Sequence, residues 1–150
     1  MIPQKIIQTL LCVILSFTLF SCEKEEIYND LEDHWKLEQF TIKENNEVVY
    51  CDRLFFGITC LVTEVAQKEA FFNDKVYLAR TEYRDDFTKL VLKDFRCQGL
   101  TDGMPVEATV EQLRPFGINN REETIFQIVK LTRKNLILES DYARLELTRF

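Results

Sequence analysis

Thr124-Ile125-Phe126-Gln127-Ile128-Val129-Lys130-Leu131, Asn135-Leu136-Ile137-Leu138-Glu139 and the run from Tyr142 to Phe150 read as three strands in succession. Their connections, Arg133-Lys134-Asn135 and Ser140-Asp141, are short enough for hairpins. A strand running to Phe150 is expected to be tied into a sheet. Upstream, Thr88–Arg96, Lys75–Tyr83 and the β-branched and aromatic stretch from Arg53 to Ala66 carry the same signature. Arg84-Asp85-Asp86 and Phe71-Phe72-Asn73-Asp74 supply turns between them, and Gly57 marks a bend or close backbone approach.

At the front of this array His34-Trp35-Lys36-Leu37-Glu38 alternates large apolar and polar residues. The apolar phase then slips at Gln39, and Phe40 and Ile42 take it over. A one-residue slip turns side chains to the other face unless a bulge absorbs it. Asn45-Asn46 is a turn signal before Val48-Val49-Tyr50-Cys51. Between Gly99 and Gly117 the pattern changes. Pro105 stands where a helix begins, Val106, Val110 and Leu113 recur at helical spacing, and Pro115 with Gly117 ends the run. One short amphipathic helix is expected there. About eight consecutive strands with tight turns predict an all-β sandwich or antiparallel barrel, and closure into a barrel removes exposed edges.

Composition bounds the function. The chain has 150 residues, 46% hydrophobic, and carries a net −6 that becomes −7 without the leading Lys5. No basic patch exists to neutralise phosphates, which disfavours nucleic-acid binding. Twelve phenylalanines are enough to fill a core and line a cavity.

The chain opens with Lys5 and an apolar stretch from Ile6 to Phe20, followed by Ser21, Cys22 and Glu23-Lys24-Glu25-Glu26. The order is that of a secretory signal peptide, and the run falls short of the roughly 18 apolar residues of a membrane span. Leu19-Phe20-Ser21-Cys22 resembles a bacterial lipobox, which implies a diacylated Cys22 as the first mature residue and stable anchoring through two acyl chains. The charged residues after it look like the lysine-plus-acidic tag by which some gut-dwelling Gram-negative bacteria export lipoproteins to the outside of the outer membrane. The chain thus divides into a signal peptide (1–21), a lipidated acidic tether (22–32) and one β domain (33–150).

Cys51, Cys60 and Cys97 remain in the domain. An odd number allows at most one internal disulfide, and both Cys51–Cys60 and Cys60–Cys97 are open. With Cys51 and Cys60 paired, Cys97 keeps a free thiol. The spacings fit no zinc pattern.

Asp33-His34-Trp35-Lys36-Leu37 looks like the Gly-x-Trp opening of lipocalin-like barrels, with Asp33 in the glycine's place. Leu113-Arg114-Pro115-Phe116-Gly117-Ile118, Glu123-Thr124-Ile125-Phe126-Gln127-Ile128 and the segment Ser140–Phe150 are similar to small lipocalin-like lipoproteins. The resemblance covers roughly residues 33–150. It implies an up-and-down barrel of about eight strands, with Trp35 packed at the base and Arg144 or Arg149 lying over it by cation–π contact.

Phe55, Phe56, Phe71, Phe72, Tyr77 and Phe95 are the aromatic candidates for an apolar site, and Phe55, Phe56, Tyr77 and Phe95 are taken as its lining. The alternative is that they fill the core, as side chains often do in small barrels. The acidic pairs Asp85-Asp86 and Glu122-Glu123 read as solvated turns. His34 lacks an orienting partner for base catalysis, and Ser140 is the one serine outside the signal. No enzyme, cofactor or metal centre is expected. The reading is a monomeric outer-membrane lipoprotein, facing the cell surface, that holds a small hydrophobic ligand in the barrel mouth. The other reading is an accessory envelope lipoprotein with a filled core that binds a partner protein or glycan.

Overall fold

The computed structural model describes residues 30–69, 75–101 and 103–150. The signal peptide, Cys22, most of the tether and the turn at Phe71–Asp74 lie outside the described residues. Among the described residues nine strands follow in chain order: β1 His34–Ile42, β2 Val48–Ile58, β3 Val62–Gln67, β4 Lys75–Arg84, β5 Lys89–Thr101, β6 Met104–Glu107, β7 Glu123–Leu131, β8 Asn135–Glu139 and β9 Ala143–Arg149. All neighbours are antiparallel, in the order β4-β3-β2-β1-β9-β8-β7-β5-β6, and β4 also pairs with β5. That last pairing closes eight strands into a barrel, with the four-residue β6 attached outside to the extended end of β5.

The slip at Gln39 is a bulge. Leu37 faces Leu147 and Gln39 faces Glu146, so Glu38 is the extra residue on β1. The bulge keeps Trp35, Leu37 and Phe40 all buried, although strict alternation would turn Phe40 outward. A similar device acts on β5. Asp94 takes a left-handed φ of 53°, and the register against β4 shifts between Leu78 and Arg80. Phe95 thereby joins Leu90 and Leu92 in the interior, whereas plain alternation would place it on the opposite face.

The helix is shorter than its periodicity predicts. Met104–Glu107, with Pro105 and Val106, forms the exposed β6, and helix α1 spans only Val110–Leu113 before a 3-10 turn at Arg114–Phe116. Thr109 caps α1 reciprocally with Gln112: each side chain bonds the other's backbone N–H. An N-cap at Thr109 fixes the start downstream of the proline.

The expected Cys51–Cys60 disulfide is absent, and both thiols are free, as is that of Cys97. Cys51 lies within β2 and Cys60 just past its far end. Against β1 the span from Tyr50 to Gly57 covers the five steps from Gln39 to His34, so at about 3.3 Å per strand residue the thiols stand roughly 15 Å or more apart, well beyond the ~7 Å limit for a bridge.

Candidate functional site

The barrel has two unlike ends. At the base Trp35 is fully buried, and its indole Nε1 donates to the Leu31 carbonyl at 2.8 Å. The Arg149 guanidinium lies 4.9 Å from the ring centroid, donates to the Asp30 carbonyl at 2.6 Å and approaches the Asp33 carboxylate at 3.3 Å. Arg149 therefore takes the place over the tryptophan. Arg144 instead donates to Glu139 at 3.0 Å, near the other end of β9.

The middle of the barrel is full. Trp35, Leu37, Phe56, Leu90, Leu92, Phe95, Phe126, Leu136, Leu138 and Leu145 are each at most 1% exposed. A water-sized void beside any of them would give it accessible area, so the floor of the barrel is solid.

The opposite end is the mouth, and segment 108–118 reaches into it. Ala108, Leu113, Phe116 and Ile118 are buried. The Phe116 ring meets Phe56 at 6.3 Å and Tyr77 at 6.0 Å, both edge-on. Gly117 follows with a left-handed φ of 73°, and a Cβ there would come within 3.0 Å of Leu145 and 3.2 Å of Phe40. The glycine lets the backbone turn sharply while pressed against the wall.

Above this floor stands a half-buried collar. Val49 is paired with the buried Phe40, and Ile42 with the buried Ala143, so both point inward. Cys97, paired with the buried Tyr77, Cys51 on β2 and Tyr142 in the β8–β9 turn are likewise partly buried against the core. Burial, then the nearby Glu38 charge, pushes the Cys51 thiol up to about 11. Desolvation likewise raises Tyr77. Both groups are neutral at physiological pH, so the collar offers an apolar surface with weak polar handles.

The aromatic candidates divide. Phe56, Tyr77 and Phe95 are buried on the interior wall, and Phe116 joins the first two. Phe55 does not reach them: adjacent strand residues face opposite sides, and its ring packs against Phe150 at 5.1 Å outside the barrel. There it borders a groove of about 270 Å³ with His34, Gly57, Glu64, Lys68 and Phe150. Sequence reasoning missed Phe116, although a phenylalanine flanked by Pro115 and Gly117 marks a ring held at a fixed turn. No group of three or more His, Cys, Asp or Glu side chains suited to a metal ion occurs among the described residues.

A family model described as a lipocalin-like domain matches residues 15–150. No curated protein matches the chain. Among solved structures, a lipocalin-like protein from Bacteroides uniformis superposes with a TM-score of 0.60 at 13% identity, over 81% of this chain and 99% of that one. An uncharacterized protein from Bacteroides eggerthii gives 0.61 at 13% identity, over 81% of this chain and 100% of its own. At that identity the likeness shows the shared barrel.

Proposed function

Since this chain belongs to the lipocalin-like domain family, we propose that it is a non-catalytic lipoprotein, anchored in the outer membrane through Cys22, whose barrel mouth takes a small hydrophobic ligand. The carrying observation is the half-buried apolar collar of Ile42, Val49, Cys51, Cys97 and Tyr142 above a packed floor. Such a site suits a ligand that caps the barrel better than one that fills it. The charged residues after Cys22 support a cell-surface address, tested by protease accessibility on intact cells.

Mass spectrometry of the protein purified from native membranes tests the ligand. An apolar species recurring in independent preparations is expected, and its reproducible absence overturns the reading. Anchoring is tested separately: labelled palmitate is expected to enter the wild-type chain and not Cys22→Ala.

A second reading, an accessory lipoprotein that binds a partner protein or glycan through its loops, is favoured by the solid interior between Trp35 and Phe116. Recovery of the intact protein without ligand but with a reproducible partner selects it.

A further inference from the structure

The base of the barrel carries two largely exposed apolar side chains, Leu61 and Phe150, the latter resting one ring edge on Phe55. Leu61 is 74% exposed in the β2–β3 turn and Phe150 is 79% exposed after β9. Backbone hydrogen bonds gather them at one end: Ile58 N–H donates to Asp33, Phe150 N–H to His34 and Arg149 N–H to Lys134. The exposed Arg133 and Lys134 of the β7–β8 turn thus adjoin the same arc. The acidic turn Asp85-Asp86 lies at this same end, joining β4 to β5 across the barrel from the β1–β9 seam, with Asp85 paired to Lys89 at 2.6 Å. At the other end the β1–β2 turn reads Lys43-Glu44-Asn45-Asn46-Glu47, although Val48 and Tyr50 are exposed on the wall beside it.

Residue 30 enters at this base. Seven residues, eight chain steps, separate it from Cys22, a reach of at most about 28 Å at full extension. We infer that the base lies on the lipid surface, with Leu61 and Phe150 in the boundary between headgroups and acyl chains and Arg133 and Lys134 over lipid phosphates. The inference rests on the anchoring reading above. The occupant is an anionic bilayer surface, which offers an apolar layer for the two side chains and phosphates for the two cations at one interface. Asp33 does not oppose this contact strongly, because Arg149 partners it. The mouth then faces away from the membrane.

Cys60, exposed beside Leu61, is a built-in reporter. The full acylated chain bearing Cys51→Ala and Cys97→Ala is labelled there with an environment-sensitive fluorophore and reconstituted in vesicles of phosphatidylethanolamine and phosphatidylglycerol. A blue-shifted emission is expected, quenched severalfold more by headgroup spin-labelled lipid than a label at Asn45→Cys in a Cys60→Ser background. Leu61→Ser with Phe150→Ser, which leaves the interior intact, is expected to abolish the difference. An acylated chain whose label at position 60 is as aqueous as that at 45 overturns the orientation alone. A chain whose mass lacks the acyl groups overturns the anchoring reading, and the orientation with it.

Discussion

Arg149 holds Trp35 from above, 4.9 Å from the ring centroid, while the guanidinium also binds the Asp30 carbonyl and the Asp33 carboxylate. One side chain therefore ties the last strand to the segment entering the first. Arg149→Met is expected to lower unfolding stability by about 1–3 kcal/mol, from the cation–π contact and the charge-assisted hydrogen bond together. Arg144→Met removes a surface pair with Glu139 and is expected to cost at most about 1 kcal/mol. Urea titrations of the two variants check the contrast.

Gly117→Ala places a methyl group 3.0 Å from Leu145 at a φ of 73°. Strain at that backbone and the crowded wall are expected to cost about 1–3 kcal/mol. Phe116→Ala instead empties the mouth, with an expected loss of about 3–5 kcal/mol. If the mouth is the ligand site, the same variant binds an apolar fluorescent probe more strongly than wild type, which a probe titration measures.

Acid weakens the barrel wall through one surface network. Arg84 bonds both Glu82 and Glu123, and Lys93 reaches both as well. The Arg84 bond, then that of Lys93, holds Glu82 down at about 2, and Arg84 likewise lowers Glu123. Folded values below the unfolded ~4.3 mean that their stabilisation is complete above that pH and disappears as pH falls towards 2. The thermal midpoint is therefore expected to drop between about pH 4.5 and 2. Glu82→Gln should flatten that slope, and added salt should shrink the difference.

The thiols differ in reach. Cys60 is exposed, whereas Cys51 is half-buried with its ionisation pushed up to about 11. Alkylation at pH 8 is expected to modify Cys60 well before Cys51, because the thiolate is the nucleophile. Peptide mapping without reductant should show no Cys51–Cys60 link, and Cys60→Ser should leave stability unchanged.

The strands were readable because alternation, turn residues and β-branched runs act locally. The three strands after Glu122, the turn at Asp85-Asp86 and the slip at Gln39 all have direct counterparts in the structure. The helix was overextended because Val106 continues an apolar spacing that β6 uses for pairing with β5, a non-local choice. Phe55 and Phe56 illustrate a different limit: composition proposes two aromatic lining residues, but strand geometry admits one to the interior. The bulge at Asp94 has no marker in apolar spacing, so Phe95 is placed inside by its aromatic character alone, against the strand alternation that the bulge resets. The disulfide failed for a simple reason, since counting thiols says nothing of the strand that separates them.

The seam between β1 and β9 makes barrel closure depend on the two ends of the domain meeting. Because β1 pairs with β9 over seven residue positions, the ring cannot close until more than a hundred residues of intervening chain have been gathered. Such distant pairing slows folding relative to local structures. A chain lacking β9 would leave β1 and β8 with raw edges at once, so truncation there should yield an aggregating polypeptide in place of a slightly smaller barrel.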